Sequence, residues 1–379
     1  MIIIEIVLLV LCCSAVLFYI CGIYAAIAFS ASSTYSCSSE NPPVTILKPL
    51  SGVESDTYTN LVSFCQQHYP EYQIVFSVRE SHDPAIELVE KLQQQFPAVD
   101  IQLVVSDRII GANLKVSNLA NGLTVAKYDI LIIADSDISV DENYLQHIVQ
   151  PLKDPKVGVV TCLYRSTAEG LAATFEALGT ASDFHAGVLV SRLLEGVKFA
   201  FGSTIVIRRQ VLEQIGGLAA IADYLADDYQ LGYLPTEAGY KVILSNYIVN
   251  HHLAKTSLAE SGDRQIRWAR CIRVSRPAGY WGLLFTFGTV YSLLLVIATG
   301  GAGFAWLVLA LTWGMRLLMG WIVGVRILQD AVVKKLFWLI PVRDVIYFII
   351  WCCGLIGNKI RWRGQKLKLI PGGKLEFIN

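Results

Sequence analysis

Two stretches of this sequence are too apolar, for too long, to belong to a chain that lives in water. From residue 2 to residue 29 the only charge is Glu5, and from 277 to 315 there is none. A bilayer-spanning helix needs roughly 20 such residues, so the first stretch is long enough for one span and the second for two. Composition agrees, with 54% hydrophobic and 16% charged residues and a mean hydropathy of +0.49. The expectation is an integral, multi-pass membrane protein. Residues 1–30 read as a retained anchor, because no basic residue precedes the apolar core as it would in a signal peptide. Residues 31–43, rich in Ser with Asn and Pro, read as a linker. Gly300, Gly301 and Gly303 break the second stretch near its middle, which predicts a helical hairpin over about 281–299 and 305–325. Residues 336–357 are apolar but interrupted by Pro341, Arg343 and Asp344. Charges inside a bilayer are costly unless they face protein or water, so this is a third span or a re-entrant helix. The tail 359–379 carries Lys359, Arg361, Arg363, Lys366 and Lys368 and prefers the cytoplasm, which favours the re-entrant reading.

Between the anchor and the hairpin, residues 44–278 alternate in pattern. Strands are expected at 44–47, 73–78, 101–105, 130–134 and 157–161, and helices at 58–67, 84–96, 115–126 and 142–152. Alternation at this spacing predicts an α/β domain with a mostly parallel sheet and right-handed crossovers. The fourth strand carries the chemistry. Ile130-Leu131-Ile132-Ile133-Ala134 is apolar without alternation, as in a strand covered on both faces, and it ends in Asp135-Ser136-Asp137. In open α/β sheets ligands bind at the carboxyl ends of the strands, and two carboxylates one residue apart can hold a magnesium or manganese ion that carries a diphosphate. Asp-x-Asp alone also begins turns and helices, so the rest of that sheet edge has to support it.

It does so in strand order. Lys48 follows the first strand, Glu80-Ser81-His82-Asp83 follows the second, and Gly111-Ala112-Asn113-Leu114-Lys115 precedes the helix before the Asp-x-Asp strand. Acids and amides of this kind suit a uridine nucleotide, which needs acceptors for uracil and ribose and donors near its phosphates. The 31 basic residues balance 31 acidic ones, which argues against a nucleic-acid partner. Nine cysteines without a Cys-x-x-Cys pair, five of them in apolar stretches, predict neither a zinc site nor a disulfide framework.

The segments Lys48-Pro49-Leu50-Ser51-Gly52-Val53, Asp83-Pro84-Ala85-Ile86, Asn113-x-Lys115-x-x-Asn118-Leu119, Ala126-Lys127-Tyr128-Asp129 and Asp135-Ser136-Asp137 resemble, in this order, the catalytic domain of ceramide glucosyltransferases. The related bacterial hopanoid glycosyltransferases share them. The likeness continues through 202–209, Ala226-Asp227-Asp228-Tyr229 and Arg264-x-x-Arg267-Trp268. It implies a GT-A-type, Rossmann-like domain that moves a sugar from a UDP-sugar to a membrane lipid hydroxyl with inversion, the domain facing the cytoplasm. It implies that Asp228 is the general base, with Asp227 its neighbour and rival, and that Asp135 and Asp137 hold a divalent cation. Lys48, Asn113, Lys115, Asp135 and His185, with Glu80 or Asp83 for the nucleoside, are implied at the nucleotide-sugar site. Arg264, Arg267 and Trp268 match a signature usually written with Gln first. Spacing of three puts both arginines on one helical face, where a guanidinium can pair with a departing diphosphate; a Trp-bearing basic segment beside a span is also an interfacial anchor.

The expected activity is transfer of a hexose, glucose first, to ceramide or a similar lipid, with N-acetylglucosamine transfer to a hopanoid as the alternative. A processive polysaccharide synthase shares Asp-x-Asp and the Arg-Trp signature but needs more helices to enclose a polymer. A scaffold without activity would leave Asp135, Asp137, Asp228 and Arg267 idle together.

Overall fold

The structure is a computed structural model that describes residues 2–31, 41–362 and 365–378. Most of the expected linker, and Arg363 of the basic tail, lie outside the described residues. The chain packs as two units: a sheet unit of residues 33–164, 197–254 and 374–379, and a helical unit of residues 1–32, 165–196 and 255–373.

In the sheet unit, β1 (Val44–Pro49), β2 (Tyr72–Val78), β3 (Asp100–Val105) and β4 (Ile130–Ile133) fall on the expected strands. They form the parallel half of an eight-stranded sheet with β5 (Ile138–Ser139), β6 (Val157–Ala168), β7 (Ile205–Arg208) and β8 (Lys241–Leu253), in the order β3-β2-β1-β4-β7-β6-β8-β5. The other half is not parallel. β7 runs antiparallel to both β4 and β6, and β5 antiparallel to β8. β7 and β8 were not anticipated, because a short apolar run such as Ile205-Val206-Ile207 becomes a strand only through β4, a partner far away in sequence.

The apolar run of β4 is explained by the two cores it divides. Ile130, Ile132 and Ala134 join Ile46, Ile74 and Phe76 in one core, while Leu131 and Ile133 join Leu47, Val75 and Val116 in the other. Every second side chain points the opposite way, so a strand buried on both faces has no polar position to spare. The chain order reverses across β1, with β2 on one side and β4 on the other. This is the switch point at which open α/β sheets leave a crevice.

The helices between the strands are Thr57–Cys65, Ala85–Gln95, Leu114–Leu123 and Tyr144–Ile148. The last is shorter than expected: Pro151 cannot donate to an α-helical ladder, and the chain continues as a 3-10 turn over Gln150–Lys153.

In the helical unit, Ile2–Ala31, Gly303–Ile327 and Ala331–Leu355 are helical segments long and apolar enough to cross a membrane. Pro277–Phe285 and Gly288–Ala298 reach that length only together and are bent by 42°. Gly288 lies where an added Cβ would be 2.8 Å from Ala15, Thr312 and the Tyr19 hydroxyl, so the helices approach closely here because it lacks a side chain. The charges at 343 and 344 face protein. Asp344 accepts from Arg316 Nη2 at 2.8 Å and Nε at 3.1 Å, and Arg316 also reaches Asp183. Arg343 donates to the Phe175 carbonyl at 2.9 Å and to Gln265 at 2.8 Å.

Candidate active site

Lys48 ends β1 fully buried, its ammonium 3.5 Å from the centre of the Phe64 ring. Its Nζ donates to the Asp135 carbonyl at 2.9 Å. The Asp-x-Asp turn at the end of β4 is therefore pinned from below. Burial, partly offset by Asp135 and Asp137, pushes this amine down to about 7. Lys48 thus shapes the turn through its main chain.

Lys115 lies above that turn. Asn113 caps its helix, with Oδ1 accepting from the N–H groups of Lys115 (3.0 Å) and Val116 (3.3 Å), a capping geometry worth about 1 kcal/mol. The Asn113 amide nitrogen donates to Tyr224 O at 2.8 Å and Asp227 Oδ1 at 3.2 Å. Both ends of the Asn113 amide are thus engaged by the chain itself. The Lys115 ammonium meets Asp135 Oδ1 at 2.7 Å and Asp227 Oδ2 at 3.1 Å. Burial disfavours its charge, but Asp135, Asp227 and Asp228 outweigh burial and hold its pKa above the ordinary lysine value.

The three carboxylates around Lys115 differ. Asp227 is buried and spent on Lys115 and Asn113. Asp228, one residue on and half-buried, accepts from Gly202 N–H at 3.2 Å and Tyr229 N–H at 2.8 Å. Burial first, and Asp227 second, raise its carboxyl to about 6. Asp135 is raised by burial, and by Asp137 and Asp227, against the pull of Lys115. Gly202 makes this crowding possible: a Cβ there would lie 2.3 Å from Asp135 Oδ2.

Asp137 faces a different neighbour. Its Oδ2 is 3.4 Å from His251 Nε2, and its carbonyl accepts from His252 N–H at 2.8 Å. Burial pushes this carboxyl up, but His251, Lys48 and Lys115 together hold it below the usual range. Among the described residues no three His, Cys, Asp or Glu side chains converge on one point. The two carboxylates Asp135 and Asp137, well short of a full protein cage, nevertheless suit magnesium or manganese, which are bound through one or two carboxylates with phosphate and water completing the shell. His251 was missed in the sequence because only the pairing Ile138↔His251 brings it to Asp137.

The second-strand loop separates its two candidate acids. Asp83 is engaged with the chain, accepting from Gly52 N–H at 2.9 Å and Ala85 N–H at 2.9 Å, while among the described residues the exposed Glu80 carboxylate pairs only with Arg79. Asp223, also unforeseen, accepts from Ala112 N–H at 2.8 Å and ties the Asn113 loop to the Asp227 loop.

The remaining candidates belong to the helical unit. Arg264 makes a two-pronged pair with Glu176, at 2.9 and 2.7 Å, and Glu176 is 2% exposed and also bound by Ser261 Oγ at 2.6 Å. Arg264 therefore answers a buried carboxylate of its own unit. The Arg267 guanidinium lies 5.8 Å from the centre of the Trp362 ring, a cation–π distance. Trp268 is 40% exposed, and His185 is buried at the head of the helix His185–Glu195.

A family model described as glycosyl transferase family 21 matches residues 7–375. Ceramide glucosyltransferase 3 of Caenorhabditis elegans is 27% identical over 231 residues, which are 60% of this chain and 50% of that protein. Ceramide glucosyltransferase 1 of the same organism is 25% identical over 354 residues, 88% of this chain and 73% of its own length. The match thus spans half the length of the first relative. Among solved structures, the mannosyltransferase PcManGT from Pyrobaculum calidifontis, in complex with GDP-Man and Mn2+, is 18% identical with a TM-score of 0.58, covering 92% of this chain and 96% of the other. That likeness gives the fold: a GT-A-type sheet domain, as the motifs implied.

Proposed function

The chain belongs to glycosyl transferase family 21, and from that premise we propose that it moves a hexose, glucose in the first instance, from a UDP-sugar to the hydroxyl of a membrane lipid such as ceramide, with inversion. The observation that carries this reading is the uneven engagement of Asp227 and Asp228. Inverting transfer needs one carboxylate free to take a proton as the acceptor oxygen attacks. Asp227 is committed to Lys115 and Asn113, whereas among the described residues the Asp228 carboxylate accepts from two backbone N–H groups alone, and burial and Asp227 raise it to about 6. Asp228 is the base. It takes the acceptor hydroxyl's proton, the oxygen forms the new bond to the anomeric carbon, and the bond from that carbon to the diphosphate oxygen breaks, releasing UDP.

Asp135 and Asp137 would hold the divalent cation, with His251 steadying Asp137; once bound, the cation would neutralise charge on the leaving diphosphate. Lys115 keeps its proton and orients Asp135 and Asp227, while Lys48 fixes the turn that presents both aspartates. Glu80, the acid of its loop not bound by backbone N–H groups, is the candidate for the nucleoside. Arg267 and Trp268 are proposed as necessary for transfer on the strength of the signature they match. The lipid acceptor is supported by the apolar helices, and a cytoplasmic catalytic domain is supported by the basic tail, which prefers that side.

The test is to incubate purified protein in bilayers with a panel of labelled UDP-sugars and candidate lipids and to identify products by mass spectrometry. A glucosylated ceramide-type lipid, lost in Asp228→Asn while UDP-sugar still binds, is the expected result. Transfer that survives Asp228→Asn refutes the assignment of the base.

A further inference from the structure

Four cations stand on one face of the strands that follow the last span-length helix. β9 (Lys359–Trp362) and β10 (Gln365–Leu369) pair antiparallel with Lys366 opposite Arg361, Lys368 opposite Lys359, and Leu367 opposite Ile360. Ile360, Leu367 and Leu369 are buried, while Lys359, Arg361, Lys366 and Lys368 are all exposed. Alternation therefore sorts the pair into an apolar face turned inward and a cationic face turned outward. Like charges directly opposite each other destabilise a strand pair, and here both exposed cross-strand positions are filled that way. Among the described residues no carboxylate lies within ion-pair distance of any of the four. From residue 359 onward the sequence carries six basic residues against the single acid Glu376.

The position of this face limits what can neutralise it. Lys359 follows the end of the span-length segment Ala331–Leu355 by four residues, a reach of at most about 13 Å. The connection is also tied down. Arg270 donates to Ile356 O at 3.1 Å and to Lys359 O at 2.7 Å, and Arg273 donates to Gly357 O at 2.7 Å and to Leu355 O. A cationic face held this close to a helix end at the bilayer boundary lies within reach of the lipid headgroups' field, which decays over about 8 Å at physiological salt.

We propose that the β9–β10 face is a docking surface for anionic phospholipid headgroups of the membrane in which the chain sits. The lipid phosphates and carboxylates replace the missing counter-charges, so the strand pair is fully formed only against an anionic bilayer. The inference rests on register and charge and is independent of the sugar donor and acceptor.

The experiment compares hydrogen–deuterium exchange of the full chain in nanodiscs of phosphatidylcholine alone and of phosphatidylcholine with phosphatidylserine. Each basic residue near an anionic surface contributes about a fivefold factor, so phosphatidylserine should slow exchange of the β9 and β10 amides by about tenfold or more, and added salt should abolish the effect. Replacing all four residues with Gln should remove the lipid response while leaving protection in phosphatidylcholine at least equal to that of the wild type, because the like-charge opposition is gone. Exchanging Lys for Arg and Arg for Lys at the same positions should preserve the response. The proposal is overturned if phosphatidylserine leaves wild-type exchange unchanged, if the Gln variant responds like the wild type, or if the charge-preserving variant does not respond. It is equally overturned if inorganic diphosphate added to phosphatidylcholine nanodiscs protects these amides as well as phosphatidylserine does, since the ligand would then be a free anion.

Discussion

Lys115 in the sheet unit and Arg316 in the helical unit are each surrounded by carboxylates, yet the two clusters are finished differently. Arg316 is 1% exposed, and its planar fork of five donors satisfies Asp344 with two nitrogens and still reaches Asp183 and Ser182. Thr289 donates to the same Asp344 carboxylate. Lys115 has three donors for three carboxylates, and the side chains of Asp135 and Asp137 beside it remain 35% and 41% exposed. Both clusters hold more carboxylates than cations, but those around the guanidinium are largely buried, whereas two of those beside the ammonium face outward. The closed cluster reads as a stabilising element and the open one as the place where a cation, a diphosphate and a proton can be handled.

Mutation at the two clusters should separate these roles, and the largest effect is expected at the open one. Asp228→Asn should lower turnover by about a hundred- to ten-thousandfold with the melting temperature unchanged, measured by transfer assay and thermal denaturation on the same preparation. Asp227→Asn should lose less activity and more stability, because it removes a partner of both Lys115 and Asn113. If the two variants exchange these phenotypes, the base has been misassigned by one residue.

Asp137→Ala and chelation by EDTA should each remove most of the transfer activity, and magnesium or manganese should restore it only after chelation of the unmutated chain. Full activity in EDTA would mean that Asp135 and Asp137 serve without a metal. At the closed cluster, Arg316→Met leaves two buried carboxylates without their cation, an error worth about 3–5 kcal/mol. It should appear as a large loss of thermal stability, with turnover per folded molecule retained.

The acid limb of the rate profile is a finer test. Asp228 is held up to about 6 by burial and by Asp227, and only its ionised form accepts a proton. Activity should therefore fall as pH drops through about 6, where an ordinary carboxylate would hold its activity down to about 4. The smallest effect is expected at Arg264→Gln. Gln still donates to buried Glu176, so stability should fall by about 1 kcal/mol with turnover within a few fold of wild type. A collapse of turnover there would place Arg264 in the chemistry after all.

The strands β1 to β4 were legible because an apolar run bounded by turns states its own burial. Asp-x-Asp was legible because its two residues are neighbours in the chain. Lys48 and Asn113 were found because their spacing marked the sheet edge, while only packing revealed that Lys48 holds a carbonyl and Asn113 a helix cap and a loop. The pairing of Arg264 with Glu176 was not legible, because Glu176 lies in another helix and leaves no mark near Arg264 in sequence.

By itself the sequence determined where the apolar spans lie, which strands are covered on both faces, and which acids reach the carboxyl edge of the sheet, because hydrophobic period and local turn chemistry act between near neighbours. Only the tertiary structure decided the antiparallel half of the sheet, the pairing of His251 with Asp137, the different partners of Asp227 and Asp228, and the alignment of four cations on β9 and β10. Each of these depends on which distant segment a side chain meets, and that is settled by how whole faces pack, beyond what any local pattern of residues encodes.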